Sequence, residues 1–91
     1  MAGDTYSEQA MLLLRELVSL GRHGIEPRHL RTLRQGAERE VALIESALSS
    51  LLRRTDAASR GRADELAPEI AGRIDAVRSL LVKQALTRLL S

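Results

Sequence analysis

Apolar residues recur along this chain every three or four positions, a spacing that places their side chains on one face of an α-helix. The first such stripe begins near Ser7 and ends at Leu20, just before two closely spaced glycines. Its members are Ala10, Leu13, Leu14, Leu17 and Leu20. Glycine is a poor helix former and a frequent helix terminator. The pattern therefore predicts a first helix over 7–20.

A second stripe follows Pro27. Proline is well tolerated at the first position of a helix, because its missing N–H would have no partner there. Glu26 precedes it and lies beside the positive end of the helix dipole. The apolar positions are Leu30, Leu33, Ala37, Val41, Ile44, Leu48 and Leu51. These features predict a second helix over 27–54.

A third stripe occupies the last third of the chain. It consists of Ala63, Leu66, Ile70, Ile74, Val77 and Leu81. Asp56 is the predicted N-cap, since a carboxylate there accepts hydrogen bonds from free N–H groups of the first turn. The predicted helix covers 57–90. Pro68 lies inside it, so either the helix kinks there or its regular part begins nearer Ala67. We favour the kink, because the apolar spacing continues through the proline unchanged.

The three stripes predict an all-α chain that forms one domain over 1–91: a short helix followed by a long antiparallel helical hairpin. Beyond Ser79 the apolar residues cover more than one face, and a hairpin buries only one. A homodimer that forms a helical bundle would cover the others. The alternative is a monomeric three-helix bundle. The predicted dimer interface consists of Ile74, Val77, Leu80, Leu81, Leu86, Leu89 and Leu90.

Composition excludes several kinds of site. The chain has no cysteine, so it has no disulfide, no thiolate nucleophile and no cysteine metal site. Its two histidines and its serines stand in no recognisable catalytic or metal-binding arrangement. We therefore predict no catalytic residue, no metal and no cofactor, and a protein that is not an enzyme. The chain shows neither a signal-peptide pattern nor a membrane-spanning run, so we expect a cytoplasmic protein that does not bind membranes.

The net charge of +2 is too small to indicate nucleic-acid binding by itself. The densest basic patch lies at the turn before the third helix. It consists of Arg53, Arg54, Arg60 and Arg62. These arginines would either contact phosphates, in which case binding would depend steeply on salt, or simply solvate the turn.

Two runs of the sequence resemble a known family. The runs GIEPRHLRTLRQGAEREVALIESALSSLLRR and ADELAPEIAGRIDAVRSLLVKQAL are similar to the C-terminal part of actinobacterial MerR-family transcriptional regulators, of the FtsR-like type. The similarity covers about Tyr6 to Leu90. Its most specific segment includes Gly24, Pro27, Arg28, His29, Leu30 and Arg31.

The resemblance implies that promoter DNA is read by an N-terminal winged helix-turn-helix, which this chain does not contain. It also implies that this part dimerises and responds to an effector whose identity the sequence does not give. A different hypothesis is a standalone helical adaptor that binds a protein partner through its C-terminal leucines. It predicts that the chain alone is a monomer.

Overall fold

The computed structural model describes residues 2–91, with side chains from Ser7 onward, and every regular element in that part of the chain is a helix. The prediction of an all-α fold is confirmed. The elements are α1 (Ala2–Gly21), a 3-10 turn (Pro27–His29), α2 (Leu30–Ala47), α3 (Ser49–Leu52) and α4 (Ala57–Leu90).

Helix bounds differ from the sequence prediction in two places. α1 begins at Ala2 rather than near Ser7, because the free N–H groups of a first turn leave the starting residue weakly specified. The span predicted as one helix over 27–54 opens with a 3-10 turn and is interrupted at Leu48.

α4 runs through Pro68 without interruption, so its regular part does not begin near Ala67. A kink at Pro68 stays a prediction.

Two compact units divide the chain, Met1–Gln35 and Gly36–Ser91. The assignment of 1–91 to a single domain stays a prediction, and the two units are described in turn.

In the first unit, α1 ends in a Schellman motif, in which a left-handed residue closes the last turn. Gly24 has φ +86°, a conformation that glycine adopts without steric cost. The N–H of Ile25 donates to the carbonyl of Leu20 at 3.1 Å, and the N–H of Gly24 donates to that of Gly21 at 3.2 Å. These bonds satisfy carbonyls at the end of α1 that would otherwise lack partners.

Alanine substitution at two glycines should give opposite results. Gly24→Ala forces a Cβ into the left-handed region, so we expect unfolding to become easier by about 1 kcal/mol. Gly36→Ala adds a helix-favouring residue inside α2 with open space around its Cβ, and should stabilise the chain by about 0.5–1 kcal/mol. Urea denaturation followed by circular dichroism measures both. Equal effects of the two variants would contradict the assigned role of Gly24.

The 3-10 turn that leads into α2 is held by its own side chains. The backbone N–H of Glu26 donates to Nδ1 of His29 at 2.9 Å, and the N–H of His29 donates to the carbonyl of Glu26 at 2.9 Å. Nε of Arg28 lies 2.8 Å from Oε2 of Glu26. Pro27 occupies the first position of the turn, where its missing N–H has no cost.

The second unit has a small core where α3 packs against α4. Among residues with described side chains, only Leu48, Ala63 and Ser59 are buried. The carbonyl of Leu48 accepts from the N–H groups of Leu51 at 3.0 Å and Leu52 at 2.9 Å. The interruption between α2 and α3 thus coincides with the most buried leucine. Half-buried neighbours extend the core along both stripes, namely Ile44, Leu51, Leu66, Ile70 and Ile74.

Asp56 caps the N-terminus of α4 as the sequence predicted. One of its carboxylate oxygens accepts from the N–H of Ser59 at 3.0 Å, and the buried Ser59 hydroxyl donates to the same carboxylate at 2.9 Å. The Ser59 N–H, followed by the hydroxyl, holds the pKa of Asp56 below its usual value by stabilising the charged form. The first turn of α4 therefore depends on an ionised Asp56.

The cap should make stability depend on pH. A lowered folded-state pKa means that the contribution of Asp56 is complete above its unfolded pKa of about 4 and is lost as pH falls through the folded value. At pH 6, Asp56→Ala should lower the Tm by about 4–8 °C. Asp56→Asn keeps a good capping residue without the titration. The Tm of wild type relative to Asp56→Asn should therefore fall between pH 6 and pH 2.5. An unchanged difference would show that the carboxylate charge is irrelevant.

Candidate association surface

The second half of α4 is exposed to solvent. From Asp75 to Ser91 every residue is exposed, although this stretch carries most of the large apolar side chains of α4. The exposed fractions range from 45% at Leu86 to 80% at Leu90. The exposed set is Val77, Leu80, Leu81, Val82, Leu86, Leu89 and Leu90. Contiguous apolar surface of this kind marks an interaction site on a soluble protein.

The exposed leucines and valines are energetically important. Complete burial of one such side chain contributes about 1.5–3 kcal/mol. Covering the exposed parts of these seven would therefore contribute on the order of 6–12 kcal/mol per chain, part of which offsets the entropy lost on association. A domain of this size has a total stability of about 5–15 kcal/mol. The uncovered surface is therefore large enough to drive association.

An apolar groove in the second unit lies at the start of this surface, with a volume of about 450 Å³. α2 contributes Glu40 and Leu43 to its wall. α4 contributes Arg73, Ile74, Val77, Arg78 and Leu81. Its apolar floor and charged edge suit an apolar side chain or helix face better than a polar substrate.

An ion pair joins α2 to α4 at the edge of the groove. The Arg78 guanidinium donates to the carboxylates of both Glu40, on α2, and Asp75, one turn earlier on α4. The hydrogen bond to Glu40, followed by that to Asp75, raises the pKa of Arg78 above its usual value. These charges are paired at the rim, so the groove floor stays apolar.

The predicted interface residues occupy two places. Ile74, Val77 and Leu81 line the groove, whereas the remaining four predicted residues lie elsewhere on exposed α4. Sequence reasoning did not predict that Glu40 and Leu43 of α2 line the groove. It also did not predict that Arg73 and Arg78 of α4 do so. Leu43 is a large apolar residue off the main α2 stripe, and that departure from periodicity was the signal available. The Glu40–Arg78 contact, 38 residues apart, left no such signal.

The motif Gly24–Arg31 connects α1 to α2, and several of its residues lie beside an apolar cavity in the first unit. Gly24 closes α1, while Pro27, Arg28 and His29 form the 3-10 turn. Leu30 is half-buried and Arg31 is exposed. The cavity beside them has a volume of about 410 Å³. It is lined mainly by Leu14, Leu17, Val18, Leu20, Ile25, Leu30 and Leu33.

The basic patch at the α3–α4 turn is largely engaged in local contacts. Arg54 pairs with Asp56 at 3.4 Å, and Arg62 pairs with Glu65 at 3.5 Å. Nε of Arg53 donates to the carbonyl of Ser49 at 3.3 Å. Arg60 lines a small cavity with Arg54 and Asp64. Local pairing supports the interpretation that the patch solvates the turn.

In the part of the chain that the structure describes, no helix is long and apolar enough to span a membrane. The same residues contain no group of three or more His, Asp or Glu side chains placed to hold a metal ion.

Comparison with known proteins gives a consistent assignment. Two similar proteins are named "Uncharacterized HTH-type transcriptional regulator Rv1828", from Mycobacterium tuberculosis, and "Uncharacterized HTH-type transcriptional regulator Mb1859", from Mycobacterium bovis. Each is 36% identical over 83 residues, which cover 91% of this chain but 34% of the relative. The chain thus spans about a third of the length of these curated relatives, and both are named as regulators rather than enzymes. No solved structure matches. The family model described as "Rv1828-like, C-terminal domain" matches residues 1–90, and the chain belongs to that family.

Proposed function

We propose that this chain is the dimerisation domain of a helix-turn-helix transcriptional regulator of the MerR type, close to the FtsR-like regulators. In this proposal a winged helix-turn-helix outside 1–91 reads promoter DNA, and α4 joins two copies into a homodimer. Family membership and the names of the mycobacterial relatives support the regulator role.

The observation that carries the proposal is the uncovered apolar half of α4. Helix-turn-helix regulators commonly bind two half-sites about 34 Å apart, which requires a dimer that fixes the spacing of its two reading heads. A continuous helix with exposed valines and leucines along about fourteen residues is suited to that task.

A fusion experiment tests this function directly. The chain is joined to a helix-turn-helix domain that represses its operator only as a dimer, and reporter expression is measured in cells. The wild-type fusion should repress the reporter, and a fusion carrying Leu81→Glu should not. Immunoblotting controls for equal amounts of the two fusions. Absence of repression by the wild-type fusion would contradict the proposal.

We also propose an effector site in the cavity of the first unit. Its volume of about 410 Å³ lies within the range of small-molecule pockets, and its lining is almost entirely apolar. Glu26 is the charged residue in the lining, and it is paired with Arg28. The ligand class that fits is therefore an uncharged, largely apolar small molecule.

The dye anilinonaphthalene sulfonate is a suitable probe of apolar cavities. Leu17→Trp should fill this cavity and remove one saturable binding site for the dye. Thr32→Trp, at an exposed position of α2 outside the cavity, is the matched control and should leave dye binding unchanged. Equal dye titrations of Leu17→Trp and wild type would show that the cavity is not the site.

A further inference from the structure

The connection between α1 and α2 contains a hydrogen bond that forms in only one protonation state of a histidine. The backbone N–H of Glu26 donates to Nδ1 of His29 at 2.9 Å. An imidazole nitrogen accepts a hydrogen bond only when it carries no proton, so the His29 ring must be neutral, with its proton on Nε2. A ring that gains a second proton has two donors and no acceptor. The bond is therefore complete at neutral pH and is lost as the pH falls through the range in which histidine takes up a proton.

This hydrogen bond fixes one wall of the apolar cavity of the first unit. Ile25, Glu26 and Pro27 line the cavity on the side of the 3-10 turn. The Glu26 N–H lies at the cap of that turn, before the first backbone N–H that bonds within it, and the His29 ring supplies its acceptor. A side-chain acceptor for a cap N–H stabilises the first turn of a helix. Protonation of the ring should therefore loosen the cavity wall at Glu26 and Pro27.

The charged neighbours of the ring leave its proton free to exchange with solvent. His29 is exposed. Within the turn, Glu26 and Arg28 pair with each other at 2.8 Å. Among the described side chains, none of the charged or titratable groups on either side of the turn makes a hydrogen bond or an ion pair with the ring. These groups are Arg15, Glu16, Arg22 and His23 before the turn, and Arg31 and Arg34 after it.

We infer that His29 is a pH-sensitive switch on this cavity: its neutral ring closes the turn, its protonated ring releases it, and an apolar ligand binds more tightly at neutral than at mildly acidic pH. The inference rests on the effector site proposed above and adds the regulation of that site. The cap at Asp56 lies in the second unit and responds below about pH 4, so the two pH effects are separable.

Titrations with anilinonaphthalene sulfonate at pH 7.5 and pH 5.5 test the switch on the whole chain. The site of interest is the saturable one that Leu17→Trp removes. In the wild type this site should bind the dye about five-fold more weakly at pH 5.5, which corresponds to the loss of one hydrogen bond. Proton uptake makes the chain more positive, which by itself favours the anionic dye, so weaker binding is not an effect of net charge.

Two glutamine variants are the matched controls. His29→Gln keeps an acceptor at the capping position but does not titrate, so its dye affinity should be equal at the two pH values. His23→Gln removes the other histidine of the chain and should keep the pH dependence of the wild type. The same five-fold loss in His29→Gln as in the wild type would overturn the switch.

Nuclear magnetic resonance of the wild-type chain tests the premise without any substitution. At pH 7.5 the Nδ1 resonance of His29 should be that of an unprotonated nitrogen, and the Nε2 resonance that of a protonated one. The amide proton resonance of Glu26 should move upfield as the ring gains its second proton, because that N–H loses its acceptor. A proton on Nδ1 at pH 7.5 would contradict the switch.

The effector site and the switch fail differently. Equal dye titrations of Leu17→Trp and wild type would remove the effector cavity itself. A dye site that Leu17→Trp removes, but whose affinity in the wild type is the same at pH 7.5 and pH 5.5, would remove only the role of His29.

Discussion

Leu81→Glu should raise the dimer dissociation constant by about 100-fold or more. Leu81 is 58% exposed in the single chain and lines the apolar groove beside Ile74 and Val77. In a dimer that covers this groove, a glutamate would bury a charge without a partner and lose the packing of the leucine. Gel filtration with light scattering, over a range of loading concentrations, would measure the change in mass.

Gln84→Glu is the matched control for this substitution. It adds the same charge three residues further along exposed α4, but it removes no apolar side chain. Its dimer should persist at the concentrations where Leu81→Glu is a monomer. Equal weakening by both variants would mean that added negative charge, and not the loss of an apolar contact, explains the result.

Leu48→Ala should lower the free energy of unfolding by about 3 kcal/mol. Leu48 is 4% exposed and lies at the junction of α2 and α3, so its truncation leaves a cavity in the interior. A loss of this size is a large part of the stability of a small helical chain. Chemical denaturation monitored at 222 nm, at a fixed protein concentration, would measure it.

Leu52→Ala makes the same chemical change four residues away. Leu52 is 54% exposed, so its truncation should cost less than about 1 kcal/mol. Similar losses for the two variants would contradict the placement of the core at Leu48.

The sequence allowed α4 to be predicted closely, and physical reasons explain why. Asp56 is a strong capping residue, and the apolar spacing from Ala63 to Leu81 has one period throughout. The break between α2 and α3 at Leu48 could not be predicted from apolar spacing or capping residues. Both sides of Leu48 favour helix, and the interruption accompanies burial against α4, which is a tertiary effect.

The exposed apolar surface of α4 was predicted in part for a similar reason. The excess of leucines beyond Ser79 indicated exposed apolar faces, and those residues are exposed in the single chain. The groove and its α2 wall depend on how α2 approaches α4, fixed in part by the contact between Glu40 and Arg78. Glu40 and Arg78 are 38 residues apart, and local sequence patterns do not predict a contact at that separation.

The side chains of the family motif Gly24–Arg31 make local contacts. The Arg28 guanidinium pairs with Glu26, and the His29 ring accepts a hydrogen bond from the Glu26 N–H. The left-handed Gly24 and the first-position Pro27 complete the loop. The motif therefore specifies the connection between α1 and α2.

Sedimentation equilibrium of the wild-type chain, over a hundredfold range of concentration, tests the central claim most directly. Association through α4 predicts a mass twice the 10.0 kDa of one chain that persists into the low micromolar range. A well-folded chain that sediments as a 10.0 kDa monomer throughout would contradict it and would favour an adaptor whose leucines bind a different protein.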